Sequence, residues 1–262
     1  MTRTQFTTAL TGAALATAIL LAAPSVYPTG TTIYDPARAW NGYTVLSPLG
    51  GQAAIVIDMS DIIANLDELH SLYGEPVPTS ILKEIPRISD HYRQFIEAAP
   101  FLVLATSGPE GLDCSPRGDP PGFVRVVDDK TLMMPDRRGN NRLDSLRNIV
   151  RDPRVALIFL IPGVGDAMRV NGRAVLSTNA ELRESFAMDD KIPACVVIIT
   201  VDSIYTQCQK AIVRSKLWDP STHIPRSALP SSGQMMEALS DGSFDGKAHD
   251  AAYPERLKNT IY

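Results

Sequence analysis

Cysteine is scarce in this sequence: Cys114, Cys195 and Cys208 are its three thiols in 262 residues. Odd in number and far apart, they fit neither a disulfide framework nor a paired CxxC metal knuckle, and they read as structural thiols. Cations are not in excess either, since 25 Lys and Arg stand against 29 Asp and Glu, a net charge near −4. No nucleic-acid partner is expected from that balance, because a polyphosphate backbone demands surplus positive charge on one face. Any anion site must therefore be local. Also missing are a GxSxG nucleophile elbow, an HExxH helix and any Cys-His spacing of a thiol enzyme, so no catalytic residue and no metal site is assigned. No internal repeat is evident.

Apolar residues do run together at the start. Arg3 precedes Ala9–Ala23 (ALTGAALATAILLAA), a run short for a membrane span but suited to a signal-peptide core, with small residues at Ala23-Pro24-Ser25 for cleavage. No twin arginine precedes it. The reading is a signal-like helix over residues 1–25, which suggests export or membrane association. Residues 26–59 follow as a Pro-, Gly- and Asn-dotted segment ending in a short apolar strand, Ala53–Ile57.

From residue 60 the pattern is mainly β with flanking helices, an α+β arrangement. Asp61–Gly74 puts Ile62, Leu66, Leu69 and Leu72 on one helical face and stops at glycine. Ser89 is positioned to cap a helix that runs to Ala99, before Pro100. Short strands and tight turns follow (FLVLAT, GPEG, LDCSPRG, DPPG, FVRVVDD, TLMMP), then strands Arg154–Ile161, Ala167–Thr178 and Cys195–Gln207, with helices predicted over Ala180–Met188 and Cys208–Trp218. Tight turns between short strands predict an antiparallel barrel or sandwich rather than βαβ units.

One charge run stands out. Arg137 to Arg154 contains six arginines, two aspartates and no lysine. A helix predicted over Asn141–Arg151, with Leu143, Leu146, Ile149 and Val150 inward, puts Arg137-Arg138-Gly139-Asn140-Asn141-Arg142 at a strand-to-helix turn. Cations at a helix N-terminus face the positive end of its dipole, which is unfavourable unless an anion lies among them. A phosphate would reverse the sign, taking backbone N–H bonds and forked guanidinium bonds. Gly139 lets the backbone approach, and Asn140 and Asn141 can cap the helix or donate. Ser115-Pro116-Arg117-Gly118, on the preceding strand, adds an arginine beside a hydroxyl. The competing assignment leaves these arginines solvated or paired with Asp136, Asp144 and Asp152, and it is the one adopted for Arg147, Arg151 and Arg154.

Two resemblances bear on function. The words TGTTIYDPARAWNGYT and AIVIDM resemble the opening of bacterial arylsulfotransferases, but the propeller that follows in that family is missing, and His70, His91, His223 and His249 match no catalytic context there. No sulfotransferase activity is carried over. From about residue 60 onward the chain resembles the pyridoxamine 5'-phosphate oxidase-like flavoproteins, through DELHSLYGEP, FLVLATSGPEGLDCSPRGDPPGFVRV, PDRRGNNRLDSLRNIVRDPRVALIFLIPG, RVNGRA and KAIVRSKLWDP. That resemblance implies an FMN-binding split β-barrel over 60–262 and a homodimer with FMN at the subunit interface. It implies an FMN-dependent oxidoreductase acting on an unidentified small molecule, with NAD(P)H as a candidate donor or O2 as a candidate acceptor. Ser115, Arg117, Gly118, Arg137, Arg138, Asn140, Asn141 and Arg142 then form the phosphate and ribityl cradle. Lys210, Arg214, Ser215 and Trp218 look like a wall of the flavin groove supplied by the partner subunit, with Trp218 either stacking on the ring or filling the dimer core. The C-terminal region lacks a match to the substrate-binding arginine and histidine of true pyridoxamine phosphate oxidases, so vitamin B6 oxidation is not expected. The alternatives are a non-catalytic flavin carrier or sensor and, more remotely, a deazaflavin or haem ligand. A flavoprotein module normally loads its cofactor in the cytoplasm, at odds with the signal-like start, and Met59 marks the expected junction of the two parts.

Overall fold

The computed structural model describes residues 43–46, 52–55 and 62–262. The signal-like run, its cleavage site and most of the arylsulfotransferase-like words lie outside the described residues. The chain divides into two compact units, Met1–Pro76 and Val77–Tyr262.

In the first unit, β1 (Tyr43–Leu46) pairs antiparallel with β2 (Gln52–Ile55), and α1 spans Leu66–Tyr73. The strand expected over Ala53–Ile57 thus starts one residue earlier, at Gln52. The helix expected from Asp61 starts at Leu66, because Asn65 caps it: its Oδ1 accepts from the Glu68 N–H at 3.0 Å. Gly74 ends it in the left-handed region, φ 65°, as expected. Ile62 falls outside the helix, and Leu66 and Leu72 are exposed, so the expected apolar face is not a buried one.

The second unit opens with α2 (Pro78–Leu82) and α3 (Asp90–Ala98). Ser89 caps α3 as expected, accepting from Tyr92 N–H at 3.3 Å. A seven-stranded antiparallel sheet follows, built from β3 (Phe101–Gly108), β4 (Gly111–Gly118), β5 (Arg125–Val126), β6 (Thr131–Pro135), β7 (Arg154–Leu160), β8 (Ala167–Ser177) and β9 (Val196–Gln207). Its spatial order is β4-β3-β7-β8-β9-β6-β5. The interposed helices are α4 (Asp144–Arg151), α5 (Ala180–Ser185) and α6 (Lys210–Ser215), and α7 (Ser232–Leu239) and α8 (Gly246–Thr260) follow the sheet. The fold class expected from the sequence is the one observed.

Period-two alternation builds the core. Leu104 lies beside Leu157, Leu157 beside Val170 and Val170 beside Ile204, and all four are buried, so one apolar row crosses four strands. A second row joins Leu132, Ile199 and Ala174. Burying side chains of this size is worth about 1.5–3 kcal/mol each, which is why alternation decides register. Curvature comes from a bulge where the β8–β9 register slips between Asn171 and Gly172. Gly172 is needed there: a Cβ would stand 2.2 Å from the Thr200 carbonyl oxygen. No helix among the described residues is long and apolar enough to cross a membrane.

Three helix expectations need correction. The arginine helix starts at Asp144 rather than Asn141, and Leu143 at its N-cap is left-handed (φ 60°) with no side-chain cap. Its inner face is Ser145, Asn148 and Ile149, while Leu143 and Val150 are exposed. Asn148 donates to Thr106 Oγ1 at 3.1 Å, so a polar pair takes the place of the expected leucine stripe. The helix expected over Ala180–Met188 ends at Ser185. The helix expected over Cys208–Trp218 ends at Ser215, because Lys216 turns left-handed (φ 51°). Lys210 and Arg214 keep their i, i+4 relation, but Trp218 leaves it.

Candidate anion-binding site

Strand alternation sets the first part of the site. Asp113, Ser115, Arg117 and, just past the strand, Asp119 are the partly buried positions of the β4 segment, and Leu112, Cys114, Pro116 and Gly118 are the exposed ones. Gly118 therefore lies on the opposite face from Ser115 and Arg117. Arg117 Nη1 pairs with Asp136 Oδ1 at 2.6 Å, and Arg137 Nε pairs with Asp119 Oδ2 at 2.6 Å. The pairs cross: residues 117 and 119 at the end of β4 meet 136 and 137 after β6. Those two strands lie at opposite sides of the sheet order, so the crossed pairs clasp the sheet into a barrel where no strand ladder closes it.

A small hydroxyl network backs the clasp. Ser145 Oγ donates to Asp113 Oδ2 at 2.5 Å. A hydroxyl has one proton, so the 2.8 Å contact between Ser115 and Ser145 has Ser115 as donor. Arg117 Nε donates to Ser115 at 3.3 Å and its Nη2 to Ser145 at 3.2 Å. Ser145 is thus fully used, as a buried hydroxyl must be.

The turn beyond is different. Arg142 is 75% exposed and lies 2.8 Å from Asp144, whose carboxylate raises the Arg142 pKa. Arg138 is exposed and has no ion-pair partner among the described residues. Nothing stands within 4 Å of a Cβ added at Gly139, so the backbone is open there. Asn140 Oδ1 accepts from Arg142 N–H at 3.0 Å, bracing the turn rather than capping the helix. Asn141 and Leu143 are both left-handed at φ 60°. Asparagine tolerates that conformation, whereas leucine is strained by it, on the order of 1 kcal/mol. Four arginines (117, 137, 138, 142) and four aspartates (113, 119, 136, 144) meet here, so local charge is balanced. An incoming anion would meet Arg138 unpaired among the described residues and would compete with carboxylates for the other three. Beside the turn, a cavity of about 230 Å³ is lined by Glu110, Asp113, Arg142, Asp144, Arg147 and Asn148 among others. That is below the roughly 300 Å³ at which small-molecule pockets begin. The guanidinium donors suit a phosphate, but this single-chain cavity does not suit a fused three-ring system.

The other half of the sequence-predicted site lies elsewhere. Pro135 pairs with Val196 at one end of β9, and Lys210 follows Gln207 at the other. At the usual strand rise the two ends are on the order of 30 Å apart. Within one chain the halves do not meet. Lys210 and Arg214 are exposed, Ser215 donates back to Ile212 O at 3.1 Å, and Trp218 Nε1 donates to Val164 O at 2.8 Å.

Several participants were not singled out from the sequence. Asp136 enters from the sequence only as a pairing partner. Arg125 stacks over Phe186, 3.6 Å from its ring centroid, and burial and then the neighbouring Arg137 charge lower its pKa. Arg137 Nη1 donates to the Phe186 carbonyl at 2.7 Å. Tyr262 donates to Asp119 Oδ1 at 2.9 Å, and the Arg137 guanidinium lies 5.5 Å from its ring centroid. The D-x-S-x-R-x-D alternation over 113–119 is the one-face signal that sets Asp113 and Asp119, which the sequence leaves as pocket or surface residues, beside Ser115 and Arg117; no local signal announces Tyr262.

Residues 88–208, from the approach to α3 through β9, match the family model described as pyridoxamine 5'-phosphate oxidase. No curated protein matches the chain. Among solved structures, HupZ of Group A Streptococcus is similar at 20% identity and TM-score 0.38, over 46% of this chain and 94% of that one. An FMN-binding protein of Syntrophomonas wolfei is similar at 12% identity and TM-score 0.34, over 54% and 95%. General Stress Protein 26 of Bacillus anthracis follows at 17% and 0.32, over 43% and 88%. Over residues 88–208 the chain carries a pyridoxamine 5'-phosphate oxidase-like split β-barrel.

Proposed function

We propose that this protein binds FMN through its phosphate at the arginine turn and works as an FMN-dependent oxidoreductase on a small molecule. The observation that carries the reading is the gathering of Arg117, Arg137, Arg138 and Arg142 at one corner of this barrel, where Arg138 is free of any described carboxylate and Gly139 leaves the backbone open. Arg138 and Arg142 would take the phosphate oxygens in forked bonds, with Ser115 and the paired Arg117 and Arg137 beside them. The flavin supplies the hydride- or electron-accepting chemistry when bound, so the protein needs no nucleophile of its own.

The ring requires more room than the 230 Å³ cavity beside the arginine turn offers. A homodimer answers this, with Lys210, Arg214, Ser215 and Trp218 of the partner completing the groove. Val213 and Leu217, beside those residues, are exposed apolar side chains suited to such an interface. Sedimentation should give a dimer, and Trp218→Ala should weaken FMN binding without removing the phosphate preference.

Titration with FMN and with riboflavin tests the cofactor reading: FMN should bind and turn the protein yellow, and riboflavin should bind far more weakly. Rapid reduction of the bound flavin by NADH or NADPH, then reoxidation by O2 or another acceptor, is expected of an oxidoreductase. Flavin inert to every donor would point instead to a carrier or sensor.

A further inference from the structure

We propose that the segment carrying Tyr262 is a displaceable strap that covers Arg137 and is released when a phosphate-bearing ligand claims that arginine. The inference rests on the reading that Arg137 belongs to the phosphate cradle, and it adds a regulatory contact to that site.

Two facts hold the strap down. Asp119 has a side chain only 1% exposed and both of its oxygens in use, Oδ2 on Arg137 Nε and Oδ1 on Tyr262 OH. The tyrosine ring lies over the guanidinium, 5.5 Å from centroid to Cζ. Arg137 is left 17% exposed, with one edge on Asp119, one N–H on the Phe186 carbonyl and one face toward the ring. A dianion reaching Arg137 must compete with Asp119 and displace the phenol that shares it.

Two further facts make the strap easy to lift. Its base is fixed: Asp250, one turn into α8, accepts from Gly233 N–H at 2.8 Å and from Ser231, and Gly233 and Gly246 let α7 and α8 touch backbone to backbone. Beyond that base every residue from Ala251 to Asn259 is exposed, and Pro254 removes a backbone donor in mid-helix. A helical stretch with so little burial has low local stability, so Tyr262 is the chief tether of the far end. The strap is anchored at one end, weak along its length and latched at Tyr262. Ligand affinity is then reduced by the fraction of molecules in which the latch is closed.

The test uses the full chain. FMN is titrated into the wild type and into Tyr262→Ala and Tyr262→Phe, and backbone hydrogen exchange over 251–262 is followed with and without FMN. Tyr262→Ala should bind FMN about tenfold more tightly, with a smaller gain for Tyr262→Phe, which keeps the ring and loses only the charged hydrogen bond. FMN should speed exchange over 251–262 in the wild type and change it little in Tyr262→Ala. Equal FMN affinity in all three proteins, or unchanged exchange on binding, overturns the strap and leaves the flavin reading intact. Absence of FMN binding in all three overturns both. Should Tyr262→Ala not fold, the near-isosteric Tyr262→Phe decides on the same two readouts.

Discussion

The arginine-rich corner contains two regions that differ in kind. In the clasp, Arg117 and Arg137 are 20% and 17% exposed, and each is locked on a carboxylate of another strand segment. In the outer turn, Arg142 is 75% exposed beside a carboxylate two residues away, and Arg138 is solvent-facing. Partly desolvated pairs hold structure, and removing one partner strands the other charge; exposed pairs contribute 0–1 kcal/mol and can be exchanged for a ligand at little cost. One run of like residues thus divides into cations that close the barrel at the inner edge of the proposed cradle and outer cations that a ligand could engage at little cost.

Breaking the clasp should have the largest effect. Asp119→Ala leaves Arg137 without its counter-ion and Tyr262 without its acceptor, and should lower unfolding free energy by roughly 3 kcal/mol in a denaturant titration. Ser145→Ala comes next, at about 1–2 kcal/mol, because it removes the acceptor of Arg117 and Ser115 and the donor to Asp113 together. Arg142→Gln sharpens the contrast from the other side: stability should move by less than about 0.5 kcal/mol, while FMN affinity falls about tenfold.

Acid titration gives a smaller effect outside the corner. Asp152 is held at about 2, below the ordinary 3.8, chiefly by the side-chain hydrogen bond from Arg154 and then by the Arg154 backbone N–H. A depressed carboxyl pKa stabilises the fold above the unfolded value and loses that contribution as pH falls from about 3.8 through 2. The loss should be slight, shrink in high salt and vanish in Asp152→Asn. Thiol chemistry should be ordered as well. Burial pushes Cys195 up to about 11, whereas the Lys210 backbone N–H lowers exposed Cys208, so iodoacetamide should label Cys208 in the native protein and Cys195 only on unfolding.

Much of the barrel was legible because alternation is a local signal. Leu102 and Leu104, or Val155, Leu157 and Phe159, declare their inward face by period two alone, and Ser89 and Gly74 declare helix ends. The arginine helix was misread where that logic fails. Leu143 and Val150 look like an apolar stripe, but the buried positions go to Ser145 and Asn148, whose partners Asp113, Ser115 and Thr106 come from strands β3 and β4. The crossed pairs were illegible for the same reason, since they join residues brought together only by barrel closure. Tyr262, 143 residues from Asp119, is the extreme case. The Trp218 error was local: a left-handed Lys216 ended a helix that i, i+4 spacing had extended.

The most direct measurement is a calorimetric comparison of FMN with riboflavin in the wild type and in an Arg138→Gln/Arg142→Gln double variant. FMN should outbind riboflavin by about a hundredfold in the wild type, and that preference should collapse to a few-fold in the double variant while riboflavin affinity stays put. Equal binding of the two flavins by the wild type, or a full preference surviving in the double variant, would contradict a phosphate held at the arginine turn.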